Sequence, residues 1–288
     1  MARRKPATTH GIAVVDKPPG VTSHDVVGML RRRFGERQVG HAGTLDPDAT
    51  GVLVVAVGKA TRLLRFVEKT RKGYTGEIVL GAATSTLDDS GDVLATFDMA
   101  AVTLDDARRA VAEHLVGDIE QIPPMVSAIR VDGKRLHELA REGIEIERAP
   151  RPVTIHRFDV DDWAEPGVLR VDVECSAGTY IRTLADDLGR LLGGGAHLRN
   201  LRRTNVGAFT LAEAAPPDVC DLLPVASAVR SLASVTVDAD TAALIANGRV
   251  LEAWDGDGPW AVFDTTGELL AVYEAFRSQA KPAVVLPR

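Results

Sequence analysis

The stretch that most limits how this chain can fold is Gly40 to Gly51, GHAGTLDPDATG, which runs directly into the apolar segment Val52 to Val57, VLVVAV. The unbroken apolar run fits a buried strand, and the polar residues ahead of it read as a loop feeding that strand. Pro47 fixes its own φ and biases Asp46 toward extended backbone, so the Asp46 carboxylate is held at one angle. A stiff loop mounted on a core strand suits a catalytic acid. The same residue types also fit an ordinary turn, with Asp46 and Asp48 accepting main-chain hydrogen bonds and Gly40, Gly43 and Gly51 supplying the tight geometry. A phosphate loop is excluded, because Ala60 follows Lys59 in Gly58-Lys59-Ala60-Thr61 where that motif needs Ser or Thr.

Read as a whole, GHAGTLDPDATGVLVVAVGKATR (Gly40 to Arg62) resembles the catalytic motif of the TruB family of tRNA pseudouridine synthases. The resemblance implies that Asp46 is the catalytic carboxylate and that His41 faces RNA in the active site. Asp48 departs from the apolar residue expected there. It would raise the pKa of Asp46 if both faced one pocket, and it is expected instead to point to solvent or cap a turn. Upstream, GIAVVDKPPGVTSHDVVGMLRRRFG reads as a strand from Ile12 to Asp16, a rigid turn, and a helix capped by Thr22 or Ser23 that ends near Gly35. Val26, Val27, Leu30 and Phe34 share one face of that helix. This segment resembles the family's N-terminal motif, which implies that Lys17 lies near the active site. Tyr74 to Leu80 reads as a strand, and the resemblance makes Tyr74 an active-site tyrosine.

Thr103 to Gly117 has the pattern of an amphipathic helix, with Leu104, Val111 and Leu115 inward. After it, Gln121 to Pro152 opens on Pro123-Pro124 and predicts a short basic helix near Lys134 to Glu142. The segment resembles the family's RNA-gripping thumb, which implies RNA contacts from Arg130, Lys134, Arg135, His137 and Arg141, with Arg130 and His137 standing where Lys and Tyr are expected. Leu169 to Cys175 alternates as a half-buried strand, with Cys175 on its core side. It leads into a helix with Ile181, Leu184, Leu188 and Leu191 inward. Arg182 near the positive end of that helix needs an anion; Asp46 would serve, and so, for a surface arginine, would Asp186 one turn on. CSAGTYIRTLADDLG resembles the family's third motif and implies site roles for Tyr180 and Arg182. HLRNLRRTNVGAF resembles its last catalytic element, implying that Leu201 packs near the target base and that Arg202 and Arg203 contact phosphates.

The chain carries 34 basic and 40 acidic residues, a net charge of −6, which argues at first against a nucleic-acid partner. The excess is uneven. From Ala208 onward there are 5 basic and 11 acidic residues, whereas Leu30 to Lys72 holds 10 basic and 4 acidic. Such a basic segment fits either a phosphate-facing surface or a solvated helix face. No run approaches the ~18 apolar residues of a membrane span, and MARRKPATTHG lacks the apolar part of a signal peptide. The expected compartment is the cytoplasm, in keeping with only Cys175 and Cys220.

The fold class expected is α/β (α+β): by resemblance, a pseudouridine synthase fold with a mixed, mostly antiparallel sheet flanked by helices. Residues 1–230 would form the catalytic domain, with the thumb at about 121–152, and residues 234–288 a small β-rich PUA-like domain with a helix at Thr241 to Asn247 and strands at WAVFD and LLAVY. The implied activity is isomerisation of uridine 55 in the T loop of tRNA, without cofactor or metal, by a monomer with no protein partner. Two other classes fit less well: a tRNA-binding or folding protein, and a nucleoside hydrolase or glycosidase.

Overall fold

The apolar run is buried in the strand Thr50–Val57, and the chain around it explains why no polar residue occurs there. Gly11–Lys17 pairs with it antiparallel, from Gly11 opposite Val57 to Lys17 opposite Gly51, and Val39–His41 pairs along its other edge. Where the strand ends, Gly58 turns with φ +61, and a Cβ there would fall 2.1 Å from the His10 ring. Only glycine fits. The structure, a computed structural model, describes residues 7–127, 130–131, 134–135, 144 and 146–287. The chain forms two compact units, residues 1–70 with 205–288 and residues 71–204.

In the first unit the helix Ser23–Phe34 begins and ends where its residues dictate. Thr22 is the N-cap: its hydroxyl accepts from the Asp25 N–H, and the Asp25 carboxylate accepts from the Thr22 N–H. Gly35, left-handed at φ 62, closes it. The C-terminal segment of the same unit builds a five-stranded sheet in the order Ala233–Val237, Trp260–Asp264, Leu269–Phe276, Gln279–Val285, Leu251–Glu252. Alternation splits its side chains between two cores. Trp260, Val262, Leu270 and Tyr273 pack with Ala242 and Ile245 of the helix Ala239–Ala246. Ala261, Leu269, Val272 and Val284 join Ile12, Val14, Val52, Val54, Leu63 and Phe66 in a single core.

Charge pairing follows the same seam. Arg33 donates to the Asp218 carbonyl and lies 3.8 Å from the Asp221 carboxylate. Lys59 pairs with Glu268 at 3.7 Å, Arg65 with Glu274 at 2.5 Å, and Arg62 donates to the Val285 carbonyl at 2.5 Å. Four of the ten basic residues between Leu30 and Lys72, Arg33, Lys59, Arg62 and Arg65, are therefore engaged with the C-terminal segment.

The second unit is a sheet in the order Ala196–Val206, Lys72–Leu80, Val168–Cys175, Arg151–Glu165, Gly117–Gln121, with the last four antiparallel in sequence of pairing. Leu169, Val171, Val173 and Cys175 are buried as their alternation requires. The helix Leu104–His114, capped by Thr103, packs on Arg151–Glu165 and on the helix Ile181–Leu191. Charged side chains pair across the sheet, Arg157 with Asp172, Arg170 with Asp162, and Arg199 with Glu77 and Glu165, while Arg157 also meets Asp159 on its own strand. Leu191 departs from its expected inward place and is 44% exposed, because it is the helix's last residue, where the apolar stripe has run out. Lys134–Arg135 pairs as a short strand with Arg130–Val131 and does not open the expected helix; residues 136–143 lie outside the described residues. Among the described residues no helix is long and apolar enough to cross a membrane.

Asp187 on the second helix of this unit is pushed up to about 6 by burial and then by the neighbouring Asp186 carboxylate, from an ordinary value of 3.8. Folding thus favours its protonated form, and the stability it confers is complete below 3.8 and lost as pH rises through about 6. Asp187→Asn is expected to raise the thermal unfolding midpoint at pH 7.5 by ~2–4 °C, as for about 1 kcal/mol after allowing for solvent screening. At pH 4 the variant should melt close to wild type. A higher wild-type midpoint at pH 7.5 would refute this.

Candidate active site

Asp46 sits half-buried in a loop whose main chain is held on both sides of it. Ser23, 2% exposed, uses one hydroxyl twice: it accepts from the Leu45 N–H at 2.8 Å and donates to the Leu45 carbonyl at 3.1 Å. Thr22 has taken the capping role, which leaves the Ser23 hydroxyl for the loop. On the other side the Pro47 carbonyl accepts from the Lys17 ammonium at 2.7 Å and from the Gly20 N–H at 3.0 Å. Lys17 is 0% exposed, and its ammonium also donates to the carbonyls of Pro18 and Val21 at 2.9 and 2.6 Å. A buried ammonium needs such partners, so the lysine ties the turn after the first strand to the loop that carries Asp46. Gly43, at φ 86, and the Ala42 N–H, donated to the Val54 carbonyl at 2.9 Å, turn the start of the loop and tie it to the buried strand that follows. His41, half-buried, lies opposite Val55 at the end of its short strand, and Asp48 is exposed, as expected.

Within residues 71–204, Tyr74 is buried on its strand opposite Val173, and half-buried Tyr180 precedes the helix Ile181–Leu191. Arg182 is no surface arginine. It is 4% exposed, and Asp186 pairs instead with Arg190 at 2.9 Å. The Arg182 guanidinium donates to the carbonyls of Thr86 and Val126 at 2.8 and 2.9 Å and lies 3.4 Å from the Asp88 carboxylate. Asp88, in the polar stretch TSTLDDSGD, supplies a neutralising anion. Its carboxylate also accepts from the Thr86 hydroxyl at 2.5 Å and from the Ser90 N–H and hydroxyl at 3.1 and 2.5 Å. Between them Leu87 is left-handed at φ 62, a costly conformation for a bulky residue, and the turn it makes brings the Thr86 carbonyl and the Asp88 carboxylate to one guanidinium nitrogen. A hydroxyl two residues to either side of an acid was the signal available in the sequence.

Leu201 and Arg202 are half-buried on their strand, just after Asn200, left-handed at φ 54. Arg203 is 1% exposed, so its charge lies inside the unit, and this speaks against the phosphate contact expected of it. Of the thumb residues, the backbone of Arg130, Lys134 and Arg135 is described, while His137 and Arg141 lie outside the described residues. Cys175 is buried and its thiol is pushed up to about 11, chiefly by burial. That leaves no thiolate for nucleophilic chemistry near neutral pH.

The sequence matches the family model described as TruB family pseudouridylate synthase (N-terminal domain) over residues 31–181. It matches the tRNA pseudouridylate synthase B C-terminal domain over residues 182–229 and the tRNA pseudouridine synthase II C-terminal domain over residues 232–287. It is 47% identical to tRNA pseudouridine synthase B of Rhodococcus jostii (strain RHA1), covering 99% of this chain and 97% of that protein. With tRNA pseudouridine synthase B of Symbiobacterium thermophilum the identity is 49% over 83% of this chain and 82% of that one. Among solved structures, a chain of the crystal structure of a Cbf5-Nop10-Gar1 complex matches with a TM-score of 0.72 and 25% identity, covering 96% of this chain and 84% of that chain.

Ser23→Ala strands both main-chain groups of a buried residue, and is expected to lower stability by about 2 kcal/mol, seen as a fall of ~4–8 °C in the unfolding midpoint. An unchanged midpoint would mean that the Leu45 bonds are dispensable. The burial of both cysteines predicts a second result: iodoacetamide at pH 8 should leave Cys175 and Cys220 unlabelled in native protein and label both in urea. Rapid native labelling of Cys175 would contradict its raised pKa.

Proposed function

The chain belongs to the TruB family of tRNA pseudouridine synthases, isomerases that convert uridine to pseudouridine, and from that premise we propose that it acts on uridine 55 in the T loop of tRNA with Asp46 as its catalytic carboxylate. The observation that carries this reading is the double restraint on Asp46, with Leu45 gripped by Ser23 and Pro47 by Lys17 and Gly20. A carboxylate that must meet one sugar or base atom gains from a main chain fixed in advance. The reaction breaks the N-glycosidic bond, turns the uracil, and rejoins it to the sugar through carbon. Atoms and oxidation state are conserved, so the chemistry needs positioning and charge. Asp46 acts ionised, as nucleophile or as stabiliser of electron-poor sugar character.

The target base lies in a folded loop and must leave its stack to react. In this reading His41 fills the space it leaves, Tyr180 stacks on it, Leu201 packs near it, and Tyr74 and Arg182 complete the set of residues that meet the uridine. Lys17 acts from beneath by holding the loop. Phosphates of the T stem-loop are met by Arg202 and by Arg130, Lys134, Arg135 and Arg141, with His137 offering a stacking face. Arg203 contributes only if its guanidinium leaves its buried place. We assign catalysis to residues 1–230 and read residues 234–288 as the PUA-like module, a division supported by the change of family model between 229 and 232. The enzyme is proposed to work as a monomer in the cytoplasm.

The test is pseudouridine mapping on an unmodified tRNA transcript incubated with wild type and with Asp46→Asn. Product at the T-loop position alone, formed by wild type and reduced at least ~10³-fold in the variant, is the expected result, since loss of a catalytic carboxylate removes several kcal/mol of barrier lowering. Tight binding without product from wild type would instead favour a tRNA-binding or folding protein.

A further inference from the structure

Tyr180 occupies the N-cap position of the helix Ile181–Leu191, yet its side chain makes no cap hydrogen bond. The restraint comes from elsewhere in the unit. Gln121, the last residue of the strand Gly117–Gln121, accepts from the Tyr180 N–H through Oε1 at 3.0 Å and donates from Nε2 to the Tyr180 carbonyl at 3.2 Å. One carboxamide thus satisfies both main-chain groups of one residue. The closed ring of two bonds fixes where that residue sits and how its backbone is turned. Five residues on, the Val126 carbonyl takes the Arg182 guanidinium at 2.9 Å. The segment 121–126 therefore grips the start of this helix at the two residues read above as meeting the uridine.

We infer that Gln121 is a positioning residue for the isomerisation, setting the backbone of Tyr180 and, through the same helix start, the aim of Arg182. Gln121 is 2% exposed, so it acts through Tyr180 and touches no RNA itself. The chemistry of the grip restricts the residue type. Both a donor and an acceptor are needed in one plane, which a neutral carboxamide provides and an ionised carboxylate does not. A protonated carboxylic acid has the same shape and again offers one of each. The inference rests on the proposed roles of Tyr180 and Arg182.

That equivalence supplies the test. Gln121→Glu keeps the shape and, when ionised, turns a negative oxygen toward the Tyr180 carbonyl. Burial raises a carboxyl pKa, so acid restores the donor. Single-turnover rates are measured at saturating enzyme on a tRNA transcript between pH 5.5 and 8, each relative to wild type at the same pH, together with tRNA affinity. At saturation the rate constant reports folded, RNA-bound enzyme, so a mere loss of folded protein does not move it. Expected for Gln121→Glu at pH 8 is a fall of about 10–100-fold, of the size a misplaced group produces, with affinity within about twofold and recovery toward pH 5.5. Gln121→Met, of similar volume and unable to ionise, should be slow at every pH. The inference is overturned if Gln121→Met runs at the wild-type rate, if its deficit lies wholly in tRNA affinity, or if Gln121→Glu shows no acid recovery. Tyr180→Ala separates the two readings: at the wild-type rate it sinks the role of Tyr180, whereas a slow Tyr180→Ala beside a fast Gln121→Met sinks only the role of Gln121.

Discussion

A buried ammonium is the constraint on which the arrangement around Asp46 depends. Lys17 ends the first strand with its charge inside the protein, and a charge there is tolerated only if oxygens converge on it. The carbonyls of Pro18, Val21 and Pro47 do so. Each bond places a piece of chain: the first two close the turn that leads into the helix at Ser23, and the third draws in the loop. Once the helix start is placed, the Ser23 hydroxyl lies within reach of both main-chain groups of Leu45. The carboxylate's position is thus a property of residues 17–23 as much as of its own loop. Residues 50–57, paired along both edges, make the other end of that loop equally immobile.

Local structure was legible because it follows from spacing. Thr22 and Gly35 bound a helix by rules that need no other residue, and the alternation from Leu169 to Cys175 assigned each side chain to its face. Between the two cap candidates, Thr22 and Ser23, the reciprocal bonds with Asp25 three residues on select Thr22, and the Ser23 hydroxyl turns to Leu45. Harder to read were polar side chains whose partners are remote in sequence. Asp88 meets Arg182, and Gln121 meets Tyr180, across stretches in which nothing repeats. Family resemblance pointed to Tyr180 and Arg182 but not to the groups that hold them. Arg203 shows the opposite error: an arginine beside Arg202 looks like surface, and the strand places it in the interior.

Charge was incomplete for a related reason. Composition gave an acidic end and a basic stretch that fitted a phosphate-facing surface and a solvated face equally, and it did not show which basic residues would meet the acidic end. Arg33, Lys59 and Arg65 turn toward Asp221, Glu268 and Glu274. Exposed pairs of this kind are each worth about 0–1 kcal/mol, so they do not by themselves hold the C-terminal sheet in place. The shared core of Ile12, Val52 and Leu63 with Leu269, Val272 and Val284 does that, and the pairs give the contact its register.

That shared core also sets an order of events during synthesis. Residues 1–70 leave the ribosome first, but the apolar partners of Ile12, Val54 and Phe66 are among the last residues to emerge. Residues 71–204 are made in between, at roughly 5–20 residues per second, and form a compact unit that can collapse on its own contacts. The nascent N-terminal strands therefore wait for roughly ten seconds or more with one face uncovered, a period in which aggregation or chaperone capture competes with folding. The loop bearing Asp46 can be tied by residues 17–23 early, yet the strand it feeds gains the rest of its core only when the C-terminal strands arrive.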